Sequence, residues 1–124
     1  MSYINRHIFV IKEIDLLATG QTIIIETETS ARFYPFQICI ELTSKTGAIV
    51  VTPIVRLGSN GTWDNLAALT TMTNLTAVNK MEMPTVIVTD SIDISATGIS
   101  IDVQTAGTGA TVLKAQVIIH GIIL

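Results

Sequence analysis

The chain has 124 residues and a net charge of −3, and its seven lysines and arginines are scattered, so its charge does not favour a nucleic-acid partner. Hydrophobic residues make up 48% of the chain, yet no apolar run approaches the roughly 20 residues of a transmembrane helix. We therefore expect one domain with no membrane partner.

The N-terminal segment differs from the rest of the chain. Its residues show no sustained period, whereas a period of two can be followed from Ile8 onward. We predict an N-terminal arm over residues 1–7 and a single β-sandwich domain over residues 8–124. The segment has no basic region followed by an apolar stretch and a cleavage site, so we expect synthesis in a cytoplasm.

Period-two alternation predicts four strands in the first half of the chain, over residues 8–17, 21–29, 33–43 and 48–57. The turn residues Ser44-Lys-Thr-Gly47 predict that the third and fourth strands form a hairpin. Pro53 lies inside the fourth predicted strand and cannot donate to a ladder, which favours an edge strand or a bulge there.

The second half carries one ambiguous region, residues 63–77. A short helical turn over residues 65–69 is compatible with it, but its threonines disfavour a long helix, so we expect a structured connection with room for one short strand. A strand broken at Pro84 follows over residues 80–88, then a turn over 90–93. Two last strands are predicted over 99–105 and 110–124, joined by a glycine turn.

These elements together predict the fold class. Seven or eight short strands, turn signals about every ten residues and almost no helix indicate an all-β fold, an antiparallel β-sandwich of the jelly-roll type. A parallel α/β fold would need amphipathic helices between the strands, for which the chain has no room.

The last strand is apolar on both faces up to Leu124. A terminus frays unless something holds it, and apolar residues on both faces of a strand imply that both faces are covered. We predict that Ile118, Ile122 and Leu124, which share one face with His120, contribute to an interface with a neighbouring chain, and that the protein self-associates.

No residue pattern specifies a catalytic site, a metal site or a cofactor. Glu26 and Glu28 share a strand face and could act as acid and base or hold a cation, but alternating acids on a half-exposed strand are commoner. Asp90 and Asp93 bracket a turn with too few other oxygen ligands for a calcium site, and Asp commonly forms turns. We predict that the protein is not an enzyme.

The remaining candidates for chemistry also have structural explanations. The single Cys39 cannot form an internal disulfide, and it alternates with polar neighbours on the face opposite Phe36 and Ile38, so we interpret it as a packed small side chain. His7 and His120 are the two histidines, and no serine or cysteine motif makes a triad with them.

One turn is a candidate ligand-facing loop, carried by Asn60 and Trp63. Asn60-Gly61 is typical of a turn with positive φ. Trp63 is the only tryptophan and could stack on a sugar, although packing over the end of the core is the commoner use of a lone aromatic residue.

Four segments carry a resemblance to a known group of proteins: residues 18–25, 33–47, 53–61 and 114–124. Their motifs are a Thr-Ser-Lys-Thr-Gly hairpin, a Gly-Ser-Asn-Gly turn and a final strand that ends in glycine and apolar residues. The chain resembles the small β-sandwich virion proteins of tailed bacteriophages, including cyanophages.

That resemblance implies a decoration or cement protein on the outside of a phage capsid, without enzymatic activity and commonly trimeric. Its partners would be further copies of itself, as a homotrimer, and the major capsid protein. Its location would be the capsid surface of the virion, after synthesis in the host cytoplasm.

Two other functions stay open. A receptor- or glycan-binding β-sandwich module of a phage tail or fibre would use Trp63 and the connection over residues 58–76. A small hydrolase is more distant, because the chain has no signature of a nucleophile with its base.

Overall fold

The computed structural model describes residues 6–59, 61–87 and 91–124. They form nine β-strands: β1 Arg6–Asp15, β2 Gly20–Ile25, β3 Arg32–Thr46, β4 Ile54–Ser59, β5 Thr62–Thr71, β6 Met81–Glu82, β7 Ile92–Asp93, β8 Ile99–Thr105 and β9 Val112–Ile123. Within these ranges no helix is long and apolar enough to cross a membrane.

The strands form two antiparallel sheets. The first sheet has the order β1-β9-β3-β6, with β7 also pairing with β3, and the second has the order β2-β8-β4-β5. Apart from β7, the chain changes sheet at every connection except the one from β4 to β5. This alternation between a five-stranded and a four-stranded sheet is a jelly roll, which confirms the predicted all-β sandwich.

The predicted hairpin between the third and fourth strands is wrong. β3 runs to Thr46 in the first sheet, whereas β4 lies in the second sheet between β8 and β5. Both strands present buried apolar side chains, so they stabilise the fold by facing each other across the core rather than side by side. Pro53 precedes β4 and needs no ladder bond there; its carbonyl accepts a hydrogen bond from the Met72 N–H at 2.9 Å.

The ambiguous region contains a full strand and no helical turn. β5 takes ten residues and pairs with β4, and Leu66 and Ala67, which are adjacent, are both fully buried. Register shifts in this pair of strands account for the two consecutive buried residues, which hide the period of two. After it, only Met81–Glu82 forms a strand in the predicted range 80–88, whose last residue lies outside the described residues.

The sandwich includes two residues of the predicted N-terminal arm. Arg6 and His7 belong to β1, where they pair with Ile123 and Ile122 of β9. The register of β1 against β9 continues without a break through ten pairs, which includes these two residues in the ladder. Residues 1–5, the rest of the predicted arm, lie outside the described residues.

Gly121 is required where β9 passes over Phe33. Alternate residues of β9 face the core, and position 121 is one of them. A Cβ atom at this position would lie 2.5 Å from Cε1 of Phe33, whose side chain is fully buried, and would also overlap the carbonyl oxygen of Tyr34. The ring of Phe33 thus fills the space that a side chain at position 121 would need.

We expect Gly121→Ala to lower the free energy of unfolding by about 1–3 kcal/mol, because the added methyl group overpacks the core at Phe33. Urea denaturation measures the change. Lys114→Ala on the exposed side of the same strand is the matched control and should change stability by less than about 0.5 kcal/mol. Equal stabilities for the two variants would contradict the close packing at Gly121.

Candidate functional site

The outer face of the first sheet carries an apolar patch at one end. Antiparallel pairing places Phe9 opposite His120, Ile11 opposite Ile118 and His7 opposite Ile122. β3 adds Tyr34 opposite the same Ile122. We call this patch the aromatic face; its residues are His7, Phe9, Ile11, Tyr34, Phe36, Ile118, His120 and Ile122.

His120 is the centre of the ring contacts on the aromatic face. The rings of His120 and Phe36 pack edge to face, with their centroids 5.2 Å apart. Phe9 lies 6.3 Å away on one side and His7 6.1 Å away, and Phe36 in turn contacts Tyr34 at 5.7 Å. Aromatic pairs in this distance range attract each other, so the rings support one another on the open surface.

The aromatic face is open to water. Phe9 is 65% exposed, Ile11 53% and Phe36 44%. The other end of the same sheet face is polar: Gln116 donates a hydrogen bond to Glu41 at 2.8 Å, and Lys114 lies 3.8 Å from Glu13. A contiguous apolar patch with a polar border is typical of a surface that binds another molecule.

The predicted interface residues lie where the alternation places them. Ile118, His120 and Ile122 share the outer face and are half-buried by their neighbours. Leu124 follows the strand, is 43% exposed, and its backbone N–H donates to the Arg32 carbonyl at 2.8 Å. The structure also brings His7 and His120 together, which no sequence spacing indicates.

Four members of the aromatic face were missed by the sequence analysis: Phe9, Ile11, Tyr34 and Phe36. Phe9 and Ile11 follow His7 at a period of two, and this signal could have found them. Phe36 was assigned to the side of Ile38, but a bulge between Pro35 and Gln37 inverts the alternation. Phe36 therefore faces outward while Ile38 is buried.

Two of the four carboxylates considered for chemistry, Glu28 and Asp93, have structural partners. Glu28 forms an exposed ion pair with Arg6 at 2.6 Å, and β2 ends before it. Asp93 accepts hydrogen bonds from the hydroxyl and the backbone N–H of Ser95, which lower its pKa. Asp90 lies outside the described residues. Among the residues described, no three metal-ligating side chains come together.

The outer face of the second sheet carries a cleft of about 420 Å³ beside Trp63. We call it the Trp63 cleft. Its lining includes Gln21, Ile23, Thr27, Trp63, Gly98 and Ser100. Asn60, the other residue of the predicted ligand-facing loop, lies outside the described residues.

A buried carboxylate lies next to the Trp63 cleft. Asp102 on β8 is 4% exposed and stands directly opposite Gln21 on β2 and Arg56 on β4. It accepts hydrogen bonds from Gln21 Nε2 at 2.9 Å and from Arg56 Nε at 2.8 Å. The arginine compensates the buried charge, and the carboxylate in turn holds both side chains in place.

Cys39 lies at the border of the aromatic face and is half-buried. Its sulfur is 3.3 Å from the sulfur of Met81. Burial, and after it the negative charge of Glu41, raise the pKa of the Cys39 thiol. A raised pKa leaves less thiolate at neutral pH, which disfavours Cys39 as a nucleophile and agrees with its interpretation as a packed side chain.

We expect Cys39 to react with iodoacetamide at pH 8 more slowly than a free thiol, because its raised pKa reduces the thiolate fraction. Glu41→Gln removes the neighbouring negative charge, which lowers the pKa, and should speed the reaction. Glu13→Gln, further along the same sheet face, is the control and should leave the rate unchanged. A rate that does not rise in Glu41→Gln would contradict this account.

The fold occurs in solved phage structures. One chain of the cyanophage Pam1 capsid asymmetric unit matches with a TM-score of 0.67 and 10% identity, over 98% of this chain and 88% of that chain. A chain of the acidic stable capsid structure of the Helicobacter pylori bacteriophage KHP30 matches with a TM-score of 0.62 and 10% identity, over 98% and 97%. No family model and no curated protein matches. The chain thus has the fold of proteins found in two phage capsid structures, which agrees with the resemblance noted in its sequence.

Proposed function

We propose that this protein is a structural virion protein that binds the outside of a phage capsid as a decoration or cement protein, and that it has no enzymatic role. In this proposal it acts as a homotrimer, and the major capsid protein is its partner. The observation that carries the proposal is the aromatic face, an exposed apolar surface on a fold that also occurs in phage capsid structures.

The aromatic face has the composition of a contact surface. Aromatic residues are enriched in the centres of protein interfaces, and fully burying a large apolar side chain contributes about 1.5–3 kcal/mol. Phe9, Ile11 and Phe36 are each at least 44% exposed, so a partner would remove substantial apolar area from water. We assign Ile118, His120 and Ile122 to the centre of the same contact and Leu124 to its border.

The face of the first sheet is a better contact surface than its edge. β1 is an edge strand, and an open edge can pair with a strand of another chain. Lys12, however, occupies the inward side of β1 between Val10 and Ile14 and remains exposed. A charged residue in an inward position of an edge strand opposes further strand pairing, which leaves the aromatic face for association.

In a symmetric oligomer, weak contacts would be sufficient to hold the protein on the shell. A cyclic oligomer presents the same surface several times to a repeating shell, and linked contacts reinforce one another through effective concentration. A protein that binds the assembled shell and not its separated subunits stabilises the shell by mass action. These two effects are the physical mechanism of the proposed cement function.

We expect the purified protein to be a trimer by light scattering at micromolar concentration. Ile11→Thr should weaken the trimer by at least about tenfold in its dissociation constant, since it removes an exposed apolar side chain from the contact. Leu69→Thr is the matched control, because Leu69 is equally exposed, at 53%, but lies on β5 of the second sheet. A monomeric wild-type protein would rule out the homotrimer.

We expect capsids purified from a phage that lacks this protein to bind it and to withstand a higher temperature before they release DNA. Ile118→Thr should reduce binding, because it weakens the trimer on which the linked contacts with the shell depend, whereas Leu69→Thr should not. Substitution tests this contact more cleanly than truncation after His120, since truncation would also remove the buried Ile123. Capsids that neither bind the protein nor gain heat resistance would contradict the proposal.

A further inference from the structure

We infer that the Trp63 cleft binds a neutral saccharide. The cleft lies on the outer face of the second sheet, and the aromatic face lies on the outer face of the first. The two surfaces are therefore on opposite sides of the sandwich, so the inference does not depend on the proposed contact through the aromatic face. A trimer formed through the aromatic face would leave the Trp63 cleft on the opposite side of each subunit.

Two glycines shape the Trp63 cleft. A Cβ atom at Gly58 would lie 2.6 Å from the backbone carbon of Trp63, so only glycine lets β5 fold this closely over β4. Asn65 fixes the same hairpin by accepting a hydrogen bond from the Ser59 N–H at 3.0 Å. At the opposite wall, a Cβ atom at Gly98 would overlap the carbonyl oxygen of Ile25, so this segment packs directly on the end of β2.

The floor of the Trp63 cleft follows from strand register. Ser100 on β8 stands between Ile23 on β2 and Gly58 on β4. The missing side chain at Gly58 leaves room beside Ser100, and the indole of Trp63 lines this space. Ile23, which is 51% exposed, forms the facing wall. The cleft thus has an apolar wall on either side and a hydroxyl group at its floor.

The Asp102 carboxylate fixes the polar end of the cleft. It accepts the hydrogen bond from Gln21 Nε2, so the amide of Gln21 is held by its nitrogen and its carbonyl oxygen is left as an acceptor. Arg56 donates a hydrogen bond from Nε to the same carboxylate, and its positive charge compensates the charge of Asp102. A rotamer fixed before binding loses less entropy when a ligand arrives.

These groups select the class of ligand. The face of an indole attracts polarised C–H groups, and Gln21 and Ser100 provide hydrogen bonds for hydroxyl groups. A sugar ring offers both on one molecule. The charge of Asp102 is already paired with Arg56, so the Trp63 cleft gives no strong preference for a charged ligand. Its volume of about 420 Å³ lies within the range of small-molecule sites.

The test uses a printed array of neutral di- to tetrasaccharides of glucose, galactose, mannose, rhamnose and N-acetylglucosamine, probed with the full chain. The best ligand is then titrated in solution while tryptophan emission is recorded. Since Trp63 is the only tryptophan, the signal reports on this cleft alone. We expect saturable binding that shifts the emission.

Substitutions at two positions of the Trp63 cleft test the roles of its residues. Gln21→Ala should weaken binding about three- to tenfold, the loss of one neutral hydrogen bond, and Trp63→Phe should weaken it less than Trp63→Ala, because it retains an aromatic face. Leu69→Thr is the control and should bind as the wild type does. Trp63→Phe, Trp63→Ala and Leu69→Thr are titrated by calorimetry alongside the wild type.

Three outcomes would overturn the inference: no saccharide on the array binds, binding persists unchanged in Gln21→Ala and Trp63→Ala, or adenosine binds as tightly as the best sugar. The last result would identify a site for flat aromatic rings instead of sugars. A failure here leaves the trimer and its capsid binding unaffected, and a failure of capsid binding leaves the saccharide titration unaffected.

Discussion

The central strand β9 is the constraint on which the rest of the structure depends. It pairs along its length with β1 on one side and with β3 on the other. Hydrogen bonds on both edges fix the register of three strands at once, and the period of two then assigns every side chain on them to one face or the other. The core and the aromatic face are two sides of this one ladder.

This arrangement explains why an apolar strand is tolerated next to water. The inward residues of β9, such as Val117 and Ile119, are fully buried, whereas Ile118 and Ile122 are only half-buried between β1 and β3. A strand whose outer face is apolar costs solubility unless something covers that face. The stability of the single chain therefore does not explain why the outer residues of β9 are apolar, whereas an interface with another protein does.

The two sheets differ in what their outer faces can do. In the first sheet, rings from three strands meet around His120 and form a broad, weakly polar surface suited to another protein. In the second sheet, the buried Asp102, paired with the half-buried Arg56, orders Gln21 beside a narrow cleft with one indole. A broad apolar surface and a small cleft with fixed polar groups suit ligands of different sizes.

Alternation along the chain was enough to predict the all-β sandwich, most of the strands and the outward side of Ile118, His120 and Ile122, because a strand repeats every two residues whatever its partner. It was not enough where a bulge inserts a residue, as between Pro35 and Gln37, so Phe36 was assigned to the wrong face. Nor could it indicate that β3 and β4 lie in different sheets, or that Phe9, Phe36 and His120 meet. Those facts depend on which strands pair across long stretches of chain, and only the tertiary structure decides that, because a local turn signal such as Ser44–Gly47 is compatible with either arrangement.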